Sequence, residues 1–152
     1  MTTMTDKETA ALALRAPANA AEWQQVHGLR RRALFDDNPA YNENHPDDRN
    51  SDHRLLGLFL DGELIGTLRA DLTHPVWAAL RLVAVDPARR GLGYGVTMMQ
   101  MAETFIKEKG WRQVRLHAKP DAIGFYKRCG YHLITWDEQA RTPDCIDLGK
   151  HL

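Results

Sequence analysis

Cysteine is scarce in this chain: Cys129 and Cys145 are the two in 152 residues. Neither sits in a metal-ligand spacing, and so few thiols exclude a domain held together by a disulfide framework. They suit a reducing cytosol, with the pair unlinked. Net charge is absent as well, since 20 Lys and Arg balance 20 Asp and Glu. That balance removes the general attraction to nucleic acid or membrane surfaces that a basic chain would have. No apolar run approaches the roughly 20 residues of a membrane span, and the stretch from Met1 to Thr9 lacks the apolar core of a secretion signal. A soluble, cytoplasmic protein is the expectation. The glycines also miss two familiar phosphate loops. Val96 stands where a dinucleotide-binding loop needs its third glycine after Gly91 and Gly93, and the Gly-Lys-Ser/Thr of a Walker loop does not occur.

What is present is ordinary globular chemistry, 43% hydrophobic and 26% charged, which argues against disorder. The length suits one domain, expected over 9–152 after a loose stretch 1–8. Ala10 to Arg15 reads as a first strand. Asn19 and Glu22 match a helix cap and its third-position partner, followed by Trp23, Val26, Leu29, Arg30, Ala33 and Leu34 at helical spacing. The polar, turn-rich segment from Asp36 to His53 is expected as a surface loop or short helix. Leu55–Leu60 and Glu63–Leu72 flank Asp61-Gly62, a hairpin signature. A turn at Thr73-His74-Pro75 then leads into a strand over Val76–Val85, which Asp86-Pro87 ends.

Directly after that strand comes Arg90-Gly91-Leu92-Gly93-Tyr94-Gly95, then Met98, Met99, Ala102, Phe105 and Ile106 on one helical face, with Gly110 as the stop. A glycine-rich loop entering a helix presents unpartnered N–H groups and the positive end of the helix dipole, a seat for a phosphate. Gln113 to Ala118 alternates as a strand, Asp121–Arg128 reads as a short helix ending at Gly130, and His132–Asp137 with Cys145–Gly149 as a closing strand pair. The order β-α-(α)-β-β-β-α-β-α-β-β makes a mixed α/β (α+β) class.

The loop resembles the pyrophosphate-binding motif of the GNAT N-acetyltransferase superfamily, Arg/Gln-x-x-Gly-x-Gly/Ala, through Arg90, Gly93 and Gly95. A second resemblance follows in order, Ala122 through Tyr126 to Gly130-Tyr131, matching the family's Ala-x-x-x-Tyr-x-x-x-Gly-Phe/Tyr segment. The resemblance covers Arg54 to the C-terminus. It implies a GNAT fold, with a mostly antiparallel mixed sheet flanked by helices, and acetyl transfer from acetyl-CoA directly to an amine. It implies that the backbone of Val83-Ala84-Val85 pairs with the pantetheine arm. The N–H groups of the loop, Gly91, Leu92, Gly93, Tyr94 and Gly95, would hold the pyrophosphate, with Arg89 and Arg90 adding charge. Acetyl-CoA is thus the expected cosubstrate, with no metal, no nucleic acid and no membrane partner; a homodimer is compatible.

Tyr126 is the side chain for which the resemblance implies a chemical role, as general acid to the departing thiol. The plain alternative is packing beside the cofactor. The base is less marked. The Glu that some family members carry four residues before the Val-Ala-Val segment is here Ala79. His117 is a candidate relay, Asp71 a second, and a water chain is a third route. Lys119 replaces an Asn that contacts CoA in many members. The stretch His45 to His53 resembles a metal cluster by composition but matches no metal-site spacing. Its Asp47, Asp48 and Asp52, with Glu43 upstream, lie in the segment that the resemblance implies helps wall the acceptor site. There they form either an acidic lining that favours cationic amines or a solvated loop. Small amines and protein Lys or N-terminal acceptors both remain open, as does a non-catalytic CoA-binding module.

Overall fold

The computed structural model describes residues 11–137 and 144–152, so the stretch expected to be loose, 1–8, lies outside the described residues. Among the described residues seven strands form one sheet in the order β1-β2-β3-β4-β5-β7-β6. They are β1 (Leu12–Arg15), β2 (His53–Leu60), β3 (Glu63–Asp71), β4 (Ala78–Val85), β5 (Gln113–Ala118), β6 (His132–Leu133) and β7 (Ile146–His151). Every neighbouring pair is antiparallel except β4 with β5, which a crossover through a helix makes parallel. The helices are α1 (Ala20–Leu34), α2 (Tyr94–Glu108) and α3 (Ile123–Arg128). This is the mixed fold that the element order implies.

Local signals explain most of these elements. The Asn19 side chain accepts from the Glu22 N–H at 2.9 Å, capping α1. Glu22 reaches back to the Ala18 N–H rather than to Asn19, and its other contacts go to Arg15 on β1 at 2.7 and 2.9 Å. Asp61 and Gly62 both have positive φ, 49° and 86°, as the tight two-residue hairpin turn requires.

Two helices and one helix take opposite faces of the sheet. Met98, Met99, Ala102 and Ile106 of α2, with Tyr126 of α3, pack on Leu56, Leu68, Leu80, Leu116 and Leu148. On the other face Val26 and Leu29 of α1 meet Leu55, Phe59 and Leu64.

Three expectations need correction. The strand expected from Val76 begins at Ala78, because the His74 ring nitrogen accepts the Val76 N–H at 3.0 Å and holds a turn there. The closing pair is shorter on its first strand than His132–Asp137. The N–H groups of Trp136 and Asp137 both donate to the Asp147 carboxylate, at 2.9 and 3.0 Å, and pull the chain off the sheet. The segment 36–53 is more than surface: its single 3-10 turn, Pro46–Arg49, sets the Asp48 carboxylate against Arg30, with both side chains buried.

Candidate active site

The site lies where β4 and β5 part. These strands pair at Ala78, Ala79 and Leu80 with Val114, Arg115 and Leu116, and no further. β4 runs on to Val85, so the edge of its last residues that faces β5 lacks a strand partner. A bulge starts the divergence. On β3 two steps separate Thr67 from Arg69, while on β4 three separate Arg81 from Ala84. Leu82 carries the extra length at φ 53°, a left-handed conformation in which a bulky L-residue is strained.

The chain then turns through Pro87–Arg89 into the glycine loop. Gly91 and Gly93 have φ of 80° and 86°, and a Cβ on either would meet nothing within 4 Å. Their need for glycine is conformational. Gly93 is the N-cap of α2, with no side chain capping that end, so the first N–H groups of the helix open outward. Gly95 also has a packing role: a Cβ there would lie 3.0 Å from the Phe125 ring. Tyr94 is half-buried and packs against the core. Leu92 is exposed. Arg89 is committed to Glu63 at 2.8 Å, while Arg90 is exposed beside the loop.

Tyr126 on α3 is buried, edge-on to Phe125 and to Tyr131. Burial pushes its hydroxyl well above the ordinary tyrosine pKa, with a smaller effect from the Cys129 thiol nearby, so it stays protonated as a donor.

On the α1 face, between the 36–53 segment and the ends of β3 and β4, a cleft of about 750 Å³ opens. Its walls carry Asp47 and Asp48, as the sequence suggests, but also Arg30, Arg69 and Arg81. Arg30 holds Asp48 through both Nη atoms, at 2.8 and 3.1 Å. Arg69 holds Asp71 through Nε and Nη2, at 2.7 and 3.0 Å, and its Nη1 lies 3.5 Å from Asp48. Burial raises the cost of charging Asp48, yet the hydrogen bonds and charges of Arg30 and Arg69 prevail and hold its pKa below the usual value. Glu43 is spent on Arg31, and Asp52 is exposed away from these pairs. The lining is therefore balanced, with three arginines against Asp47, Asp48 and Asp71.

Asp71 stands directly across from Ala79 in the register, so a carboxylate does reach that neighbourhood from the next strand. It is clamped by Arg69, with His53 Nδ1 at 3.5 Å. His117 lies on β5. Its Nδ1 is 3.2 Å from Arg81 Nη1, and since a guanidinium only donates, Nδ1 accepts. Its Nε2 lies 3.5 and 3.6 Å from Asp137 and Asp147, and its ring stacks on Trp136. Lys119 is exposed. The arginines of the cleft and Trp136 were not singled out for the site by sequence. The one available signal was Arg69-x-Asp71, two opposite charges on one face of an otherwise apolar strand.

The fold and this split strand pair define the class to which the comparisons point. A profile described as the Acetyltransferase (GNAT) family matches residues 21–131. The chain belongs to that family. It is 26% identical over 90 residues to a streptothricin acetyltransferase of Escherichia coli, covering 57% of this chain and 52% of that one. The chain spans about half the length of the curated relatives it matches. Among solved structures, an aminoglycoside 6'-N-acetyltransferase complexed with coenzyme A superposes with TM-score 0.75 at 15% identity, over 93% of this chain and 96% of that one. The PaiA N-acetyltransferase of Thermoplasma acidophilum, in complex with coenzyme A, gives 0.71 at 18%, over 93% and 99%. At these identities the two structures establish the fold. Among the described residues no group of three or more side chains could hold a metal ion, and no helix is long and apolar enough to cross a membrane.

Proposed function

We propose that this protein transfers the acetyl group of acetyl-CoA directly to the nitrogen of a small-molecule amine. The observation that carries the reading is continuity. The open N-terminus of α2, the unpaired edge of β4 after Leu80 and the 750 Å³ cleft adjoin along one strand and its loop. The N–H groups from Gly91 to Gly95, with Arg90, would take the pyrophosphate. The backbone edge at Val83, Ala84 and Val85, which has no strand partner on the β5 side, would take the pantetheine arm. Arg89 contributes less, because Glu63 already neutralises it. Relatives that carry the word acetyltransferase, and neighbours bound to coenzyme A, support the same assignment.

In the reaction the lone pair of the acceptor nitrogen forms the new N–C bond as the thioester C–S bond breaks. The protonated Tyr126 hydroxyl donates its proton to the sulfur as negative charge develops there, the general-acid role, and is reprotonated from water after thiol release. The proton shed by the amine passes to water. His117 fits a positioning role better than that of base, since Arg81 occupies its acceptor nitrogen. Asp71 is likewise engaged by Arg69.

A cleft of this size suits a small molecule rather than a protein surface. Asp47, half-exposed at its rim, would meet a positive charge on a longer acceptor. Balanced charge and two thiols support action in the cytoplasm, and sedimentation would measure whether a homodimer forms. The test of the whole reading is thiol release from acetyl-CoA across a panel of amines. Release above hydrolysis with any of them supports it. Tight acetyl-CoA binding with no release across the panel would return the protein to a non-catalytic CoA-binding module.

A further inference from the structure

We propose that Arg81 anchors a carboxylate on the acceptor, so that the amines this cleft selects are amino acids in chemical class. The inference rests on the acetyl-transfer reading and adds to it the identity of the acceptor's second group.

The three arginines of the cleft are not equivalent. Arg30 is 1% exposed and holds Asp48 through both Nη atoms; Arg69 is 7% exposed and clamped on Asp71. Arg81 is 31% exposed, and its Nε lies 3.6 Å from Asp71, beyond a good hydrogen bond. The carboxylate it faces is thus already shared with Arg69 and His53. Of its five N–H hydrogens, one on Nη1 goes to His117. Among the described residues Nη2 has no hydrogen-bond partner, which leaves the paired N–H groups that a carboxylate takes in parallel.

The guanidinium is also held in place before any ligand arrives. His117 Nδ1 accepts from it, and it lies 5.3 Å from the centre of the Trp136 ring. Trp136 is itself fixed, its indole N–H donating to the Leu116 carbonyl at 3.1 Å and its backbone N–H to Asp147. A cation pre-set by neighbours loses little freedom on binding.

Position completes the argument. Arg81 immediately precedes the bulge at Leu82, and both line the cleft. The segment 83–85, assigned above to the thioester arm, follows at once. A carboxylate on Arg81 therefore places the α-nitrogen, two bonds from the carboxyl carbon, beside the gap between β4 and β5. A decarboxylated amine would leave the guanidinium unsatisfied.

The experiment measures initial rates of thiol release with wild type, Arg81→Gln and Arg81→Lys. The acceptors are leucine, methionine and lysine, each with its α-carboxamide and its decarboxylated amine, with rates referred to neutral amine. In wild type at least one amino acid is expected to exceed its two partners in kcat/KM by about 10- to 100-fold, the range of a charge-assisted pair, mostly through KM. In Arg81→Gln that ratio collapses to near unity, and Arg81→Lys keeps part of it. A structural role alone would lower all three acceptors together and leave the ratio in place. If Arg81→Gln does not fold, the wild-type ratio and Arg81→Lys decide. Amides or decarboxylated amines that match their amino acids in wild type would overturn the inference while leaving acetyl transfer intact. So would a ratio that survives Arg81→Gln. No release with any of these acceptors overturns the inference, while acetyl transfer itself is decided by the wider panel of amines.

Discussion

A Cβ placed on Gly95 would lie 3.0 Å from the Phe125 ring, so the first turn of α2 and the helix bearing Tyr126 are in direct contact. The two motifs that look separate in sequence are mechanically joined at this point. Gly95→Ala sets an overpacking cost of about 1–3 kcal/mol against the roughly 1 kcal/mol that a helix gains from Gly to Ala. A net loss of about 1 kcal/mol is therefore expected. The substitution should also weaken acetyl-CoA binding. Chemical denaturation and calorimetric titration measure both, and Gly95→Ala with Phe125→Leu should recover part of the stability by freeing the space. Effects of Gly95→Ala and Phe125→Leu that simply add in the double variant would remove this coupling.

Gly93 differs, since space is open around it and only its φ of 86° is demanding. Gly93→Asp puts strain and a negative charge at the open end of α2. Wild type should gain about 2.7 kcal/mol from acetyl-CoA at 100 times Kd. The folded variant should gain almost nothing in the same thermal-shift titration. An unchanged shift would take the loop out of the cofactor site.

Tyr126→Phe removes the hydroxyl and keeps the ring packing against Phe125 and Tyr131. Among the described residues that hydroxyl has no hydrogen bond to protein, so stability should hold. With chemistry rate-limiting, kcat should fall roughly 100-fold or more while acetyl-CoA Kd barely moves. A kcat within about threefold of wild type would leave Tyr126 as a packing residue.

Acid should undo the wall of the cleft. Asp48 has its pKa held below the ordinary value by Arg30 and Arg69, and Glu22 is lowered to about 2 by Arg15 and the Ala18 N–H. A depressed carboxylate stabilises the fold above its unfolded pKa of about 4, and that stability is lost as pH falls through the folded value. His27 adds to the same trend from higher pH. Burial depresses its pKa, so the unfolded chain takes up a proton first below about 6.5. Thermal midpoints measured from pH 7 to pH 2 should decline from about pH 6.5 and steepen below 4. Asp48→Asn should be less stable at pH 7 by about 3–5 kcal/mol, because Arg30 is left buried without its partner, and its decline below pH 4 should be shallower.

What the sequence determined by itself is local in origin. Asn19 starts a helix and Asp61-Gly62 turns a hairpin. The apolar period from Met98 to Ile106 marks the face of α2. Glycines at 91 and 93 permit the backbone that leaves a helix end open. Each of these is a preference of neighbouring residues for one backbone geometry or one face, so it is written in short spacings. The family resemblance rests on the same kind of signal.

Only the tertiary structure decided the acceptor cleft. Arg30, Asp48, Arg69, Asp71 and Arg81 come from a helix, a 3-10 turn and two strands, and nothing in their spacing says that they meet. Read in sequence, Asp47, Asp48 and Asp52 form an acidic stretch. In the fold, Asp48 is neutralised by a residue 18 positions earlier, and the character of the wall passes to the arginine that remains partly exposed. The divergence of β4 from β5 was equally hidden, since it arises from one extra residue at Leu82 against a strand that turns back beside it. Charge pairing and strand register are relations between distant segments. Their energies exist only after the chain has brought those segments together, which is why no local pattern announces them.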